Sequence, residues 1–175
     1  MKGRIKFNDA MLAAVMDGRK TQTRRPIEPQ PKVTEEELRK LGAWQEGYTL
    51  SEQVCAAWRH GFVDVDCPYG EIGDIISVTD KDGDIKGKIE ITDVCIEQLN
   101  HISEEDAKAE GILMLDNNFG NGTAYCDYTL ADLYDTAEWF NRASDSFISL
   151  WQSIYGAEIW LNNPWVWVIE FKKVE

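Results

Sequence analysis

The residues best suited to chemistry lie in one short stretch, residues 18–26, with the sequence GRKTQTRRP. It holds four cationic side chains and two hydroxyls. The first 25 residues carry seven Lys or Arg and two Asp, a net charge of +5. The whole chain has a net charge of −13, so the other 150 residues together carry −18. Such segregation predicts a local site for an anion, whereas general attraction to nucleic acid needs a basic body. The alternative is that these cations pair with neighbouring carboxylates in a solvated loop.

The elements before this stretch predict where it emerges. Residues 4–7 alternate between polar and apolar, as a short strand does. Asn8 is a suitable N-cap, and apolar residues then recur at helical spacing until Gly18, a usual helix stop. The cationic side chains should therefore lie on a loop or strand edge after a short helix, where functional side chains are common.

The next segment, residues 26–66, is predicted to be a helical insertion. It opens with PIEPQP, a stiff and extended connector. Thr34 begins a capping-box pattern for a helix to about Leu41, and Ser51 opens a second helix to about Arg59. The pattern leaves open whether this insertion is a lid or serves packing only.

The rest of the chain predicts a small mixed fold. Two strands flank a hairpin loop at residues 80–84, and a helix follows from Ser103 to Gly111. We expect a loop at 117–123, one or two helices within 130–155, and a buried final strand at 165–171. The whole chain, residues 1–175, is thus predicted to be a single α+β domain containing a small, mostly antiparallel β-barrel flanked by helices.

Composition argues against several other classes. The four cysteines are far apart and are predicted to be reduced core residues, with no disulfide framework. Neither Cys55, His60 and Cys67 nor the acidic loop 80–84 has the spacing of a zinc or calcium site, so we expect no metal and no cofactor. No apolar run is long enough for a membrane span or a signal peptide, so a cytoplasmic location is expected.

Five stretches together resemble the ASCH family of PUA-like proteins, in particular the type found in bacteriophage and prophage genomes. They are residues 18–26, 67–74, 102–111, 151–156 and 163–171, in the order in which the family has them. The resemblance implies a PUA-like barrel with flanking helices. One departure is the strand near residues 76–80, which lacks the Trp and Arg usual in the phage relatives.

The motif is also similar to that of small bacterial amidohydrolases that act on N(4)-acetylcytidine. The resemblance implies catalytic roles for Lys20, Thr23 and Glu110. A desolvated Lys with a lowered pKa can take a proton from a Thr hydroxyl, and a Glu can pass a proton to the leaving amine. Candidate substrate-binding residues are the remaining polar members of the stretch, Arg19, Thr21, Arg24 and Arg25.

Three functions remain open on the sequence. The first is hydrolysis of an exocyclic amide of a modified pyrimidine. The second is recognition, without chemistry, of a nucleoside or short single-stranded RNA in a basic cleft, since the net charge disfavours a long RNA. The third is a phage-encoded interaction protein that meets a protein partner through its acidic face.

Overall fold

A computed structural model describes residues 3–42, 44–115, 124–135 and 138–174. Its strands are β1 Arg4–Lys6, β2 Gln22–Pro26, β3 Ile75–Thr79, β4 Ile85–Gln98, β5 Met114–Leu115, β6 Ala124–Cys126, β7 Trp139–Phe140 and β8 Trp165–Lys173. Its helices are α1 Asp9–Met16, α2 Glu35–Lys40, α3 Leu50–Arg59, α4 Glu104–Ala109, α5 Ala143–Tyr155 and α6 Glu158–Asn162. The predicted loop at 117–123 lies outside the described residues.

The main sheet has five strands in the order β1-β3-β4-β8-β2. β1 pairs with β3 in parallel, and the other neighbours are antiparallel. The second sheet is small, with the order β5-β6-β7. The α+β prediction is confirmed. The predicted barrel is not found among the described residues, because β1 and β2 remain as edge strands of an open sheet.

The order β1, α1, β2 positions the cationic stretch. Asn8 caps α1 by accepting a hydrogen bond from the Met11 amide at 2.8 Å, and the helix ends at a turn through Gly18. The chain then enters β2, whose paired neighbour is β8. The expected strand edge is therefore confirmed. β8 is buried from Trp165 to Ile169, as its apolar run predicted.

The two helices predicted in the insertion are present as α2 and α3. Thr49 caps α3 through a capping box with Glu52, so this helix begins slightly before Ser51. The prediction of reduced cysteines is wrong for two of the four, because Cys55 on α3 and Cys95 on β4 form a disulfide. Their Cα atoms are 5.5 Å apart, which is within disulfide reach because α3 packs against β4.

The described residues between 130 and 155 contain one helix, α5, which begins only at Ala143. The described part before this helix forms turns and β7. Asp127 and Asp132 explain this difference, because their carboxylates accept hydrogen bonds from the backbone amides two residues ahead, both at 2.9 Å. Such turns compete with helix formation. Among the described residues, no helix is long and apolar enough to cross a membrane.

Candidate functional site

Lys20 and Glu110, which lie 90 residues apart in the chain, meet in the interior. The Lys20 ammonium donates to the Glu110 carboxylate at 2.7 Å and to the Glu110 backbone carbonyl at 2.9 Å. Both side chains are 2% exposed. The end of α4 brings Glu110 beside the start of β2, where the Thr21 amide also donates to the Ala109 carbonyl at 2.8 Å.

Gly111 makes this close approach feasible. Its φ of +85° is in the left-handed region, and a Cβ there would lie 2.7 Å from Lys20 Cβ and 2.8 Å from Ala14 Cβ. A larger residue would separate the two segments that the Lys20–Glu110 pair joins. The Arg19 guanidinium closes the same junction from outside by donating to the Gly111 carbonyl at 2.9 Å.

Arg24 is the centre of a second set of contacts. Its guanidinium donates to Glu110 Oε1 at 2.9 Å, to Glu97 at 2.7 Å, and to Asp106 at 3.3 Å. Gln22 accepts a further bond from it at 2.7 Å. The Arg24 side chain is 1% exposed, and its Nε has no hydrogen-bond partner among the described residues. Arg24 is therefore held inside by carboxylates, and is not displayed to solvent as a phosphate-binding arginine would be.

The two buried cations have opposite pKa shifts. Burial lowers the pKa of Lys20, and Arg25 and Arg24 add to this effect by like-charge repulsion, against the attraction of Glu110. Burial also acts against the charge of Arg24, but Glu110 and Glu97 outweigh it and raise the pKa of that guanidinium. Lys20 is thus the group in this cluster that can lose a proton most readily.

Alternate residues of β2 point to opposite sides of the sheet, as they do in any strand. Gln22 and Arg24 line a cavity on one side. We call this side the Arg24 face. Thr23 and Arg25 lie on the other side, which we call the Thr23 face, where Arg25 Nε is 3.3 Å from Thr23 Oγ1.

Aromatic rings surround the charged groups on the Thr23 face. The Arg25 guanidinium lies 5.0 Å from the Phe7 ring centre and 5.7 Å from that of Tyr69, and the Lys20 ammonium is 5.8 Å from Phe7. Burial raises the pKa of Tyr155, and Arg25, Tyr69 and Glu110 are among the groups that act on its hydroxyl. Tyr69 is half-buried, and Tyr155 is 41% exposed although its ring packs on Trp151 with the ring centres 4.5 Å apart, so each ring keeps an accessible part.

The predicted residues therefore separate into two groups. Lys20, Thr23, Arg25 and Glu110 lie together on or at the border of the Thr23 face. Arg24 belongs to the opposite face, and Thr21 is exposed with its backbone bonded to Ala109 and Phe171. Burial, together with pairing to carboxylates, explains why no cluster of free cations forms at this junction.

Sequence reasoning missed two of the three acidic partners of Arg24, Glu97 and Asp106, and the two tyrosines, Tyr69 and Tyr155. One signal was present for Asp106, because it precedes Glu110 by four residues and so lies on the same face of α4. For Glu97 and Tyr155, no local pattern indicates the contact, since both reach the site through tertiary packing. No three His, Cys, Asp or Glu side chains of the described residues are grouped as a metal site requires.

Comparisons with known proteins give two structural similarities. No family model matches the chain, and no curated protein matches it. The ASCH domain from Lactobacillus crispatus JV V101 aligns at 15% identity and a TM-score of 0.44, over 98% of this chain and 79% of that one. A DUF984 protein from Enterococcus faecalis V583 aligns at 16% identity and a TM-score of 0.45, over 99% and 80%.

Proposed function

We propose that the protein acts on the base of a nucleoside and hydrolyses an exocyclic amide of a modified pyrimidine, such as N(4)-acetylcytidine. The observation that carries the proposal is the buried contact between Lys20 and Glu110, because a Lys with a lowered pKa beside a carboxylate is a ready proton-transfer pair. In this pair, Lys20 in its neutral form is the base, and Glu110 relays the proton that Lys20 takes up to the leaving amine.

The reaction uses the groups of the Thr23 face. Lys20 takes the hydroxyl proton as Thr23 Oγ1 attacks the acetyl carbonyl carbon. The C–N bond then breaks, Glu110 protonates the leaving exocyclic amine, and water hydrolyses the acetyl-threonine ester to acetate. Tyr69 and Tyr155 stack on the pyrimidine, and Arg25 donates hydrogen bonds to the sugar or base.

The test is a chromatographic time course of N(4)-acetylcytidine with wild type, Lys20→Met and Thr23→Val. We expect wild type to release cytidine and both variants to lose at least about a hundredfold in rate, the range of a missing general base or nucleophile. Thr92→Val is the matched control, because Thr92 is an exposed threonine on β4. Equal rates for Thr23→Val and Thr92→Val would exclude Thr23 as the nucleophile.

A second candidate is recognition of a nucleoside or a short single-stranded RNA without chemistry. One observation favours it: no hydrogen bond joins Lys20 to Thr23 in the described structure, where two of the three ammonium hydrogens go to Glu110. This candidate predicts that folded wild type binds N(4)-acetylcytidine in calorimetry and releases no cytidine. Binding should then survive Thr23→Val and weaken in Arg25→Ala.

A further inference from the structure

The Arg24 face contains a cavity of about 1060 Å³ that the proposed amide hydrolysis does not use. One wall comes from the insertion, mainly from α3, and the other comes from β2, β4 and β8 of the sheet. The insertion therefore covers the Arg24 face and is not a lid over Thr23. The volume is at the upper end of small-molecule sites, so a substrate has room between these walls.

Two side chains that line this cavity form a pair suited to chemistry. Ser51 Oγ lies 2.7 Å from His101 Nδ1, although the two residues are 50 positions apart in the chain. Ser51 lies in the first turn of α3, and His101 follows three residues after the end of β4. Both residues line the cavity. A hydroxyl in hydrogen-bond contact with an imidazole is a nucleophile beside its general base.

A second contact holds the Ser51 hydroxyl in place. The backbone amide of Gln98 donates a hydrogen bond to Ser51 Oγ at 3.1 Å. This bond uses one lone pair of the oxygen and leaves the hydroxyl hydrogen for the imidazole. In the tautomer that carries its proton on Nε2, His101 Nδ1 accepts that hydrogen. The Gln98 amide also stabilises the negative charge that develops on Oγ as its proton leaves.

The start of α3 supplies backbone donors beside this hydroxyl. The first amides of a helix have no acceptor within the helix. The amides of Glu52 and Gln53 are satisfied, since they donate to the side chain and the carbonyl of Thr49. Those of Leu50 and Ser51 have no hydrogen-bond acceptor among the described residues. A carbonyl attacked by Ser51 Oγ brings its oxygen close to the amide of the same residue, as in an oxyanion hole.

The cavity lining and the His101 ring together indicate the class of substrate. Five carboxylates line the cavity and Arg24 is the Lys or Arg side chain among the described lining residues, so an anionic substrate is repelled. Among the described residues, no carboxylate bonds to the His101 ring, and the imidazolium therefore lacks the stabilising partner that it has in a triad. An ester is cleaved more easily than an amide, because an alcohol oxygen is a better leaving group than an amine. An uncharged ester is accordingly the best match.

We propose that Ser51 and His101 form a catalytic dyad that hydrolyses an uncharged carboxylic ester in this cavity. Ser51 Oγ attacks the ester carbonyl carbon while His101 Nδ1 takes the hydroxyl proton. The bond from that carbon to the alcohol oxygen breaks, and His101 passes the proton to the leaving oxygen. Water then attacks the acyl-serine, gives a proton to Ser51 Oγ through His101, and releases the carboxylic acid. The cavity and Thr23 lie on opposite sides of β2, so this activity does not depend on the proposed amide hydrolysis.

The first test is covalent labelling with diisopropyl fluorophosphate, located by mass spectrometry of peptides. The Oγ–P bond forms, the P–F bond breaks, fluoride leaves and the hydroxyl proton goes to His101. We expect the label on Ser51 of wild type and none on Ser153, an exposed serine of α5 that does not line the cavity. A serine that only holds α3 to β4 would not react. Absence of the label from Ser51 of the folded protein, or equal labelling of Ser51 and Ser153, overturns the proposal.

The second test follows hydrolysis of methyl 4-acetoxybenzoate by chromatography. Ser51→Ala removes the nucleophile. His101→Asn places an amide oxygen where Nδ1 lies, so it keeps the contact with Ser51 but cannot take a proton. We expect each variant to lose at least about a hundredfold in rate. His60→Asn is the matched control, because His60 is also exposed and lines the same cavity, and its rate should stay within about twofold of wild type. Folding is checked by circular dichroism, and equal rates for His101→Asn and His60→Asn overturn the proposal.

The free acid of the same ester tests the charge of the cavity wall. At neutral pH, 4-acetoxybenzoate carries a negative charge that the methyl ester lacks. Relative to the uncatalysed rates, we expect wild type to hydrolyse this anion at least about tenfold more slowly, because the carboxylates of the wall repel it. Equal acceleration of the two compounds would overturn the assignment of an uncharged substrate.

Discussion

Arg24 and Arg25 are adjacent in the sequence, and the fold treats them in opposite ways. Arg24 points to the side where three carboxylates and the Gln22 side chain enclose it, and its side chain is 1% exposed. Arg25 points to the Thr23 face, where its guanidinium lies over Phe7 and Tyr69 and donates to the Lys6 carbonyl at 2.6 Å. The side chains of neighbouring basic residues in a strand therefore lie on opposite sides of the sheet, in two different environments.

The two faces also differ in the balance of charged side chains. On the Arg24 face the carboxylates that line the cavity outnumber the Lys and Arg side chains there. On the Thr23 face, Arg25 and Lys20 lie beside aromatic rings, and Glu110 is the carboxylate that joins the two sides by binding Lys20 with one oxygen and Arg24 with the other. Glu110 is accordingly the residue whose removal should disturb both sides.

The largest expected effect is that of Glu110→Ala. The substitution leaves the Lys20 ammonium buried without a carboxylate and removes one partner of Arg24, so we expect a loss of about 3–5 kcal/mol in the free energy of unfolding. Urea denaturation measures this change. Glu105→Gln, on the exposed side of α4, should stay within about 0.5 kcal/mol of wild type.

A double variant sharpens this result. Lys20→Met with Glu110→Ala removes the orphaned ammonium together with its partner, so it should be more stable than Glu110→Ala alone. If the two losses simply add, Lys20 and Glu110 are not coupled, and the bridge between the two faces is refuted.

The next effect concerns the disulfide, which fastens the insertion to the Arg24 face. Cys55 and Cys95 are separated by 40 positions, and closing a loop of that length stabilises the folded chain by about 2–4 kcal/mol. In urea denaturation, Cys95→Ser should lower the free energy of unfolding by that amount, while release of cytidine from N(4)-acetylcytidine stays unchanged. Wild type without reductant, whose single disulfide is checked by mass spectrometry and thiol titration, is the reference.

Local patterns predicted the parts of this fold that local forces decide. Asn8, Gly18 and Thr34 are capping or stop residues, and the helices beside them occur where expected. The prediction of one or two helices within 130–155 placed the helical region too early, because Asp127 and Asp132 satisfy backbone amides in turns among the described residues before Ala143, an option that hydrophobic periodicity does not detect. The prediction of a β-barrel was wrong for another reason. Whether a sheet closes depends on pairing between strands that are distant in the chain, and no single segment of the sequence determines that pairing.

The candidate site likewise contains residues that the sequence predicted and residues that only tertiary packing brings there. Lys20, Thr23 and Glu110 came from a resemblance to a motif, and Lys20 and Glu110 are in direct contact. The burial of Arg24 was not predicted, although alternation along β2 would have assigned Arg24 and Thr23 to opposite sides. Glu97 reaches Arg24 from β4 across 73 positions, and only the tertiary structure brings them together.

The smallest effect is a pH dependence that belongs to Lys20. Burial lowers its pKa below the ordinary value of 10.5, so the folded state binds fewer protons than the unfolded state in the window just below that value. The cost of the buried ammonium is therefore fully present at low pH and disappears as pH rises toward 10.5. The free energy of unfolding of wild type should rise by up to about 1.4 kcal/mol per pH unit in that window, relative to Lys20→Met.

The control is Lys40→Met, at an exposed lysine. Its free energy of unfolding should change with pH in parallel with that of wild type in the same urea titrations. A parallel profile for Lys20→Met as well would mean that Glu110 fully offsets the burial, and Lys20 would then be a structural cation and not a base.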